Sequence, residues 1–281
     1  MKHLWIYFFI SSLIIVPGLY SLIRYGLKPS IEFTGGTRFI IEDTNSTDSV
    51  FKAFEDYSPS LEDSTENTIT LKTKNISQET TQVTIDTLKK DSPDIKITSF
   101  ETIGAALGKE TIRKTLYALA ISSVVLLLYI SFAFKRAKYG VCAVIAMLHD
   151  TLILIGSFSL LGHFYGIEID LLFVTAVLTI LSFSTHDTIV VYDRIRELSH
   201  KNKAVSYTFL VNQAITETMV RSLNNSLTII FMLIALFLIG GETTKYFSLA
   251  LLIGTITGTY SSTFTAAPLL LVWEKIFNKR R

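Results

Sequence analysis

The chain has 281 residues, of which 49% are hydrophobic and 18% are charged, and its formal net charge is +2. Its mean hydropathy of +0.43 excludes an ordinary soluble domain and is typical of a membrane protein with several spans and one hydrophilic domain. The single cysteine, Cys142, excludes an intramolecular disulfide. The sequence has no zinc-type Cys/His spacing, phosphate-binding loop, dinucleotide motif or Lys/Arg-rich run. We therefore expect no metal, no cofactor and no nucleic-acid partner.

Six apolar segments approach the length of about 20 residues that crosses a bilayer. They cover residues 4–23, 115–134, 140–162, 169–191, 222–239 and 247–272. The first is longer than the apolar core of a secretory signal and no small-residue cleavage site follows it, so we predict a retained spanning helix, softened at Pro17-Gly18. The predicted fold is a polytopic α-helical membrane protein with six transmembrane helices.

A polar region separates the first two spans. Strands are predicted over 37–42, 67–73 and 94–101, with helices over 49–57 and 77–91 between them. This alternation predicts a small α+β domain of order β-α-β-α-β, similar to half of a ferredoxin-like fold. The predicted organisation is thus a first helix over 1–23, an α+β domain over 24–114, five further helices over 115–272 and a basic tail over 273–281.

Positive charge is unevenly distributed over the short loops, and this asymmetry predicts the orientation. Basic residues follow the second, fourth and sixth spans: Lys135, Arg136, Lys138, Arg194, Arg196, Lys201, Lys203, Lys275, Lys279, Arg280 and Arg281. The opposite short loops contain only His163 and Lys245. We therefore expect both termini in the cytoplasm and the 24–114 domain outside it.

Asp187 lies inside the apolar fourth span, where an unpaired carboxylate costs several kcal/mol. Its neighbour Thr188 and the preceding His186 make this end of the span locally polar. The alternative is that Asp187 lies near the membrane interface without an ion-relay role, because Asp193 marks the membrane surface about 9 Å away at the helical rise. His186 points about 100° away from Asp187 on an ideal helix, so a structural or partner-facing role is favoured for it.

Arg221 opens the fifth span, and Asn225 and Thr228 follow on the same helical face. This stripe is the candidate partner of the Asp187 face, because buried polar groups in lipid need partners. Protonation of Asp187 would weaken its attraction to Arg221 and let helices shift, which describes a proton or ion relay. The alternative is that Arg221 only anchors the helix end by snorkelling.

The third span contains a second titratable pair, His149 and Asp150. It either continues the relay or forms hydrogen bonds between helices, and the sequence leaves both possibilities open. In the sixth span, Gly254, Gly258 and Ser262 repeat at four-residue spacing, which favours close helix packing.

Five stretches resemble the SecD/SecF family of the RND superfamily: IEFTGGT (31–37), LHDTLILIGSFSLLG (148–162), HDTIVVYDRIRE (186–197), RSLNNSLTIIFMLIALFLIGG (221–241) and LLIGTITGTYSS (251–262). The outer domain of about ninety residues is similar to that of the SecF members, since SecD usually has a larger one. The family's intramembrane carboxylate maps onto Asp187 and its arginine onto Arg221. The family usually has Asn where this chain has His186, and we expect the histidine to alter the pH dependence of coupling.

The resemblance implies a subunit that promotes preprotein export through the SecYEG channel of the bacterial cytoplasmic (inner) membrane, using proton-motive force. The implied partners are SecD, SecYEG, YajC, translocating preproteins, protons or sodium ions, and the lipid bilayer. Six spans are half of the superfamily's twelve, which also implies a second six-span subunit. The alternative is a non-conducting scaffold that stabilises the translocon. Since no covalent chemistry is indicated, we do not expect an enzyme.

Overall fold

The computed structural model describes residues 4–42, 50–52, 54–64, 68–74, 76, 80–84, 96–134, 136–202 and 204–277. The chain divides into two compact units. One consists of Met1–Lys28 with Ala118–Arg281, and the other of Pro29–Tyr117.

The Pro29–Tyr117 unit contains a four-stranded antiparallel sheet. Its strands are β1 (Gly36–Glu42), β2 (Ser60–Ser64), β3 (Thr68–Thr73) and β4 (Lys96–Ile103), in the spatial order β2-β3-β1-β4. β1, β3 and β4 coincide with the predicted strands. β2 was not predicted, because the polar sequence SLEDS lacks the apolar alternation of a half-buried strand and is held by its pairing with β3.

The predicted helices of this unit are described only in part. Residues 50–52 are helical and Glu55–Tyr57 form a 3-10 turn, within the predicted helix over 49–57. Residues 80–84 are helical, and the remainder of the predicted 77–91 helix lies outside the described residues.

The core of this unit forms on one face of the central strand β1. Phe39 and Ile41 alternate with more exposed neighbours, as expected for a strand with one buried face. Phe39 lies opposite Leu71 in the sheet, and its ring centroid is 4.6 Å from that of Phe54. Burial of these side chains against each other supplies the apolar contact that a sheet of this size needs.

A glycine pair lies between the short helix α2 (Ile31–Thr34) and β1. Gly35 and Gly36 have φ values of 72° and 136°, a region that favours glycine. A Cβ on Gly35 would lie 2.7 Å from Cα of Ala105, so the close approach of two backbones also requires glycine here.

The other unit is helical. Its elements are α1 (Leu4–Arg24), the second part of α3 (Ala105–Phe134), α4 (Ala137–Tyr165), α5 (Leu171–Lys201), α6 (Tyr207–Ile239), α7 (Glu242–Ser261), a π-helical turn (Ser262–Ala266) and α8 (Ala267–Phe277). Among the described residues, five helices are long and apolar enough to cross a membrane: α1, α3, α4, α5 and α6. They coincide with the first five predicted spans.

The predicted sixth span, 247–272, is divided between α7 and α8 by the π-helical turn. The link between the fourth and fifth predicted spans, 192–221, is largely helical, because α5 continues to Lys201 and α6 begins at Tyr207. Asp170 is the N-cap of α5, and its side chain accepts a hydrogen bond of 2.7 Å from the amide of Phe173.

Two helix pairs approach closely through glycine. Where α1 packs on α4, a methyl group on Gly156 would lie 2.8 Å from Cα of Gly18. Where α5 packs on α7, Gly254 faces the side chain of Ile180 and Gly258 faces Ser184. The second contact agrees with the packing role expected for the glycine repeat.

The helical unit contains two apolar clusters, one above the other along α5. One includes Val177 and Ile180, and the other includes Val191 and Tyr192. The stretch of α5 between them contains Ser184, Thr185, Asp187 and Thr188, all buried. A polar layer therefore interrupts the apolar interior.

We predict that Gly156→Ala destabilises the helical unit. Alanine ordinarily favours a helix by about 1 kcal/mol over glycine, yet here its methyl group would push α1 from α4 and cost about 1–3 kcal/mol as overpacking. The thermal unfolding midpoint of the purified chain in detergent measures the effect.

Gly241→Ala is the matched control, because nothing lies within 4 Å of the position that its Cβ would occupy. Equal midpoints for the two variants would contradict the packing argument.

Candidate functional site

Asp187 is held in the polar layer by α5 and is only 4% exposed. The hydroxyl of Ser222, on α6, donates a hydrogen bond to its Oδ2. A charge-assisted hydrogen bond of this kind is about twice as strong as a neutral one. The Asp187–Ser222 contact therefore ties α5 to α6 at the depth of the buried carboxylate.

A cavity of about 190 Å³ opens beside Asp187. Its lining includes Arg221, Asn225 and His186, three of the residues predicted for the site, and all three side chains are exposed. Within the helices described, the structure gives no ion pair between Asp187 and Arg221. The two charges share a cavity without being in contact, and the direct partner of the carboxylate is Ser222.

The helical face of α6 that meets Asp187 differs from the predicted one. The predicted stripe of Arg221, Asn225 and Thr228 is exposed. The buried polar residues are Ser222 and Ser226, and Ser226 accepts a hydrogen bond of 2.6 Å from Thr259 on α7. The contacting stripe is therefore rotated by one residue, about 100°, from the predicted stripe.

Thr188 is 1% exposed and does not line the cavity beside Asp187. The structure thus brings Asp187, His186, Arg221 and Asn225 to one cavity and leaves Thr188 in the packed interior.

Two larger cavities adjoin this one. A cavity of about 600 Å³ shares Val190 and Arg221 with it and is otherwise lined by Ile189 and by polar or charged side chains: Asp193, Arg194, Glu197, Glu217 and Thr218. Arg194 donates to Glu217 of α6 at 2.5 Å and also to Glu197. A third cavity, of about 270 Å³, shares Ser222 and continues between α6 and α7. Asp187 therefore lies where a charged cavity and a mainly apolar one meet.

The second predicted pair lies deeper than Asp187. Asp150, on α4, is 1% exposed, and its Oδ1 lies 2.9 Å from Nδ1 of His149. Its Oδ2 accepts hydrogen bonds from the hydroxyl of Ser184 on α5, at 2.5 Å, and from that of Ser261 on α7, at 2.6 Å. One carboxylate thus connects three helices. His149 Nε2 is buried and has no hydrogen-bond partner among the described residues.

The sequence did not indicate Ser184, Ser222 or Ser261 as partners of the carboxylates. Each is a small hydroxyl residue inside an apolar helix, and such residues commonly satisfy their own backbone without marking a site. One signal was available in the spacing of the sequence. Ser184 precedes Asp187 by three residues and so shares its helical face, which indicates a common polar face of α5. Among the described residues, no group of three or more His, Cys, Asp and Glu side chains is arranged to hold a metal ion.

Comparisons of the sequence with known proteins all find similarity to SecD/SecF proteins. Residues 83–276 match the family model described as protein export membrane protein SecD/SecF, C-terminal. The protein translocase subunit SecF of Thermobaculum terrenum is 39% identical over 95% of this chain and 91% of its own length. The SecF subunit of Anaerolinea thermophila is 34% identical over 96% of this chain and 92% of its own length.

The similarity extends to a longer protein, SecDF. The SecDF subunit of Bacillus subtilis is 32% identical over 95% of this chain, which covers 37% of that protein. The crystal structure of SecDF from Thermus thermophilus superposes with a TM-score of 0.84 at 27% identity and covers 98% of this chain. This chain covers 39% of that SecDF chain, or about two fifths of its length. With a family model matched over more than half of the chain, and with several membrane-length helices, this chain is a membrane protein that belongs to the SecD/SecF family of protein export membrane proteins.

Proposed function

We propose that this chain is a SecF-type subunit of the protein translocase accessory complex, which uses ion-motive force to promote preprotein export through SecYEG. The observation that carries the proposal is Asp187, a carboxylate 4% exposed on an apolar helix beside a cavity that it shares with Arg221. A buried ionisable residue in a membrane helix is expensive and marks an ion pathway by default. Protons are the proposed ion, and sodium is the alternative.

The proposed step is a change of charge at Asp187. The ionised carboxylate holds α6 through Ser222 and attracts Arg221 across the cavity. Proton uptake removes the charge, weakens both interactions and lets α5 and α6 shift relative to each other. Neutralising one buried charge in this way biases a packed interface between two arrangements.

The proposed assembly contains SecD as a second six-helix subunit, together with SecYEG and YajC, and the translocating preprotein as its client. The fused SecDF relatives support the pairing with SecD. The exposed apolar surfaces of α1 and α3 also support a partner subunit, since only 17% and 6% of the residues in the most apolar stretches of these helices are buried. We propose no catalytic role.

The proposed topology places both termini in the cytoplasm of a bacterium, with the chain in the inner membrane. In it, α7, the π-helical turn and α8 together form the sixth span. The Pro29–Tyr117 unit lies outside the cytoplasm and is a ferredoxin-like domain, a proposal supported by the antiparallel order β2-β3-β1-β4 with helical residues between the strands.

We predict that Asp187→Asn abolishes ion-coupled export while leaving the subunit folded, because asparagine retains the size and hydrogen-bonding capacity of the side chain but cannot ionise. Export of a signal-peptide-bearing reporter is measured in cells, with the membrane abundance of each variant checked.

Glu110→Gln is the control for loss of a carboxylate, since Glu110 is exposed on α3 and pairs only with Lys114 one turn away among the described residues. Normal export by Asp187→Asn at normal abundance would reject the motor and leave the non-conducting scaffold.

We also predict that Ser222→Ala destabilises the α5–α6 contact by about 1–3 kcal/mol, because it removes a hydroxyl donor from a buried carboxylate. In the Asp187→Asn background the loss is expected to fall to about half, since the remaining hydrogen bond is neutral. Denaturant unfolding of the four proteins in detergent gives the double-mutant cycle.

Ser182→Ala, an exposed position on α5, serves as the control. Equal costs of Ser222→Ala in the two backgrounds would show that the hydroxyl does not act through the Asp187 charge.

A further inference from the structure

The His149–Asp150 pair has a buried nitrogen that the hydrogen-bond network leaves open. The imidazole is about nine-tenths buried, and its Nε2 has no partner among the described residues. Leaving a buried polar atom unsatisfied is unfavourable, so its persistence calls for a specific role.

An ionised Asp150 determines the tautomer of the imidazole. Asp150 accepts from Ser184 and Ser261 at Oδ2, and an ionised carboxylate can only accept. With Asp150 ionised, the 2.9 Å contact between its Oδ1 and His149 Nδ1 is a hydrogen bond only when the proton resides on Nδ1. The lone pair of the neutral ring is then on Nε2, the atom without a partner.

We propose that the His149–Asp150 pair is a second proton-binding site of this chain, in which Nε2 of His149 takes up the proton and Asp150 compensates the resulting charge. The proton comes from water, and its uptake forms one N–H bond and converts the imidazole to an imidazolium. The pair then passes from a net charge of −1 to neutrality, which is favourable in an apolar bundle. No bond to Asp150 has to break, because Nδ1 donates before and after uptake.

The site is distinct from the one at Asp187. None of the three cavities described is lined by His149 or Asp150. The helices packed against α4 carry other titratable side chains, which include Asp187 on α5, Tyr260 on α7 and Tyr7 on α1. Asp187 accepts from Ser222, and the hydroxyl of Tyr260 donates to the backbone carbonyl of Tyr7. The charged groups on α8 include Glu274, which pairs with Lys138.

The location of the site gives proton uptake a mechanical consequence. Asp150 connects α4 to Ser184, one turn before Asp187 on α5, and to Ser261, the last residue of α7 before the π-helical turn. A change in its charge alters the strength of both links together, since hydrogen bonds to a compensated carboxylate are weaker than those to a bare one. The inference does not rest on the proposed role in export.

Nitrogen NMR on the full-length chain, labelled with ¹⁵N at its five histidines and placed in lipid nanodiscs, tests the proposal. His149→Gln identifies the His149 signals. The wild type is expected to show a neutral ring with the proton on Nδ1 at about pH 8, and an imidazolium with both nitrogens protonated at about pH 5. In Asp150→Asn, His149 is expected to remain neutral at about pH 5, because the compensating charge is gone.

His163→Gln is the matched control, since His163 is exposed and stacks on Tyr25 at 3.7 Å; it is expected to leave the His149 signals unchanged. A His149 ring that stays neutral at about pH 5 in the wild type would overturn the proposal, as would equal protonation in Asp150→Asn. Should Asp150→Asn fail to fold, the Nδ1 proton of the wild type decides instead. A strongly downfield resonance supports the bond to the carboxylate, and an ordinary one rejects it.

Discussion

A carboxylate inside an apolar helix bundle must receive hydrogen bonds from neighbouring helices, and the helical unit of this chain is arranged around that requirement. Asp150 and Asp187 lie in a polar layer between two apolar clusters. The layer is built almost entirely from hydroxyl side chains, which can satisfy a carboxylate without adding a second charge. Because each donor comes from a different helix, satisfying the two acids also fixes how α4, α5, α6 and α7 pack.

The two carboxylates are satisfied to different extents, and this difference separates their roles. Asp150 accepts from two serines, contacts His149 as well, and borders none of the cavities described. Asp187 accepts from Ser222 and faces a cavity that also contains Arg221. A group with few fixed partners and open space can change partner at little cost, whereas a saturated group holds its surroundings in place. Asp187 is thus suited to exchange of hydrogen-bond partners. Asp150 is suited to hold the surrounding helices in register, and the unpartnered Nε2 of His149 is the atom of this pair that can change its protonation.

The sequence predicted the parts of this arrangement that are energetically expensive. Five spans follow from long apolar segments, and Asp187 was identified because a charge there needs an explanation. The sequence did not predict Ser222 as the partner, since a serine in a membrane helix costs little and the rotation of α6 about its own axis is set by packing. The strand β2 was missed because its polar residues pair through backbone atoms. The division of the sixth span was missed because a π-helical turn leaves no hydropathy signal.

The glycines of α7 connect the packing of the bundle to its chemistry. A serine hydroxyl is short, so Ser184 and Ser261 reach the same oxygen of Asp150 only because α5 and α7 approach closely. Gly258 permits that approach: a Cβ there would lie 3.3 Å from Cβ of Ser184, tighter than ordinary van der Waals contact. The small residues and the buried acid are therefore parts of one constraint. A larger residue at position 258 would move the Ser184 hydroxyl away from Asp150 without contacting the carboxylate itself. The carboxylate would then lack a hydrogen-bond donor, and its unsatisfied charge would destabilise the packing of α5 on α7.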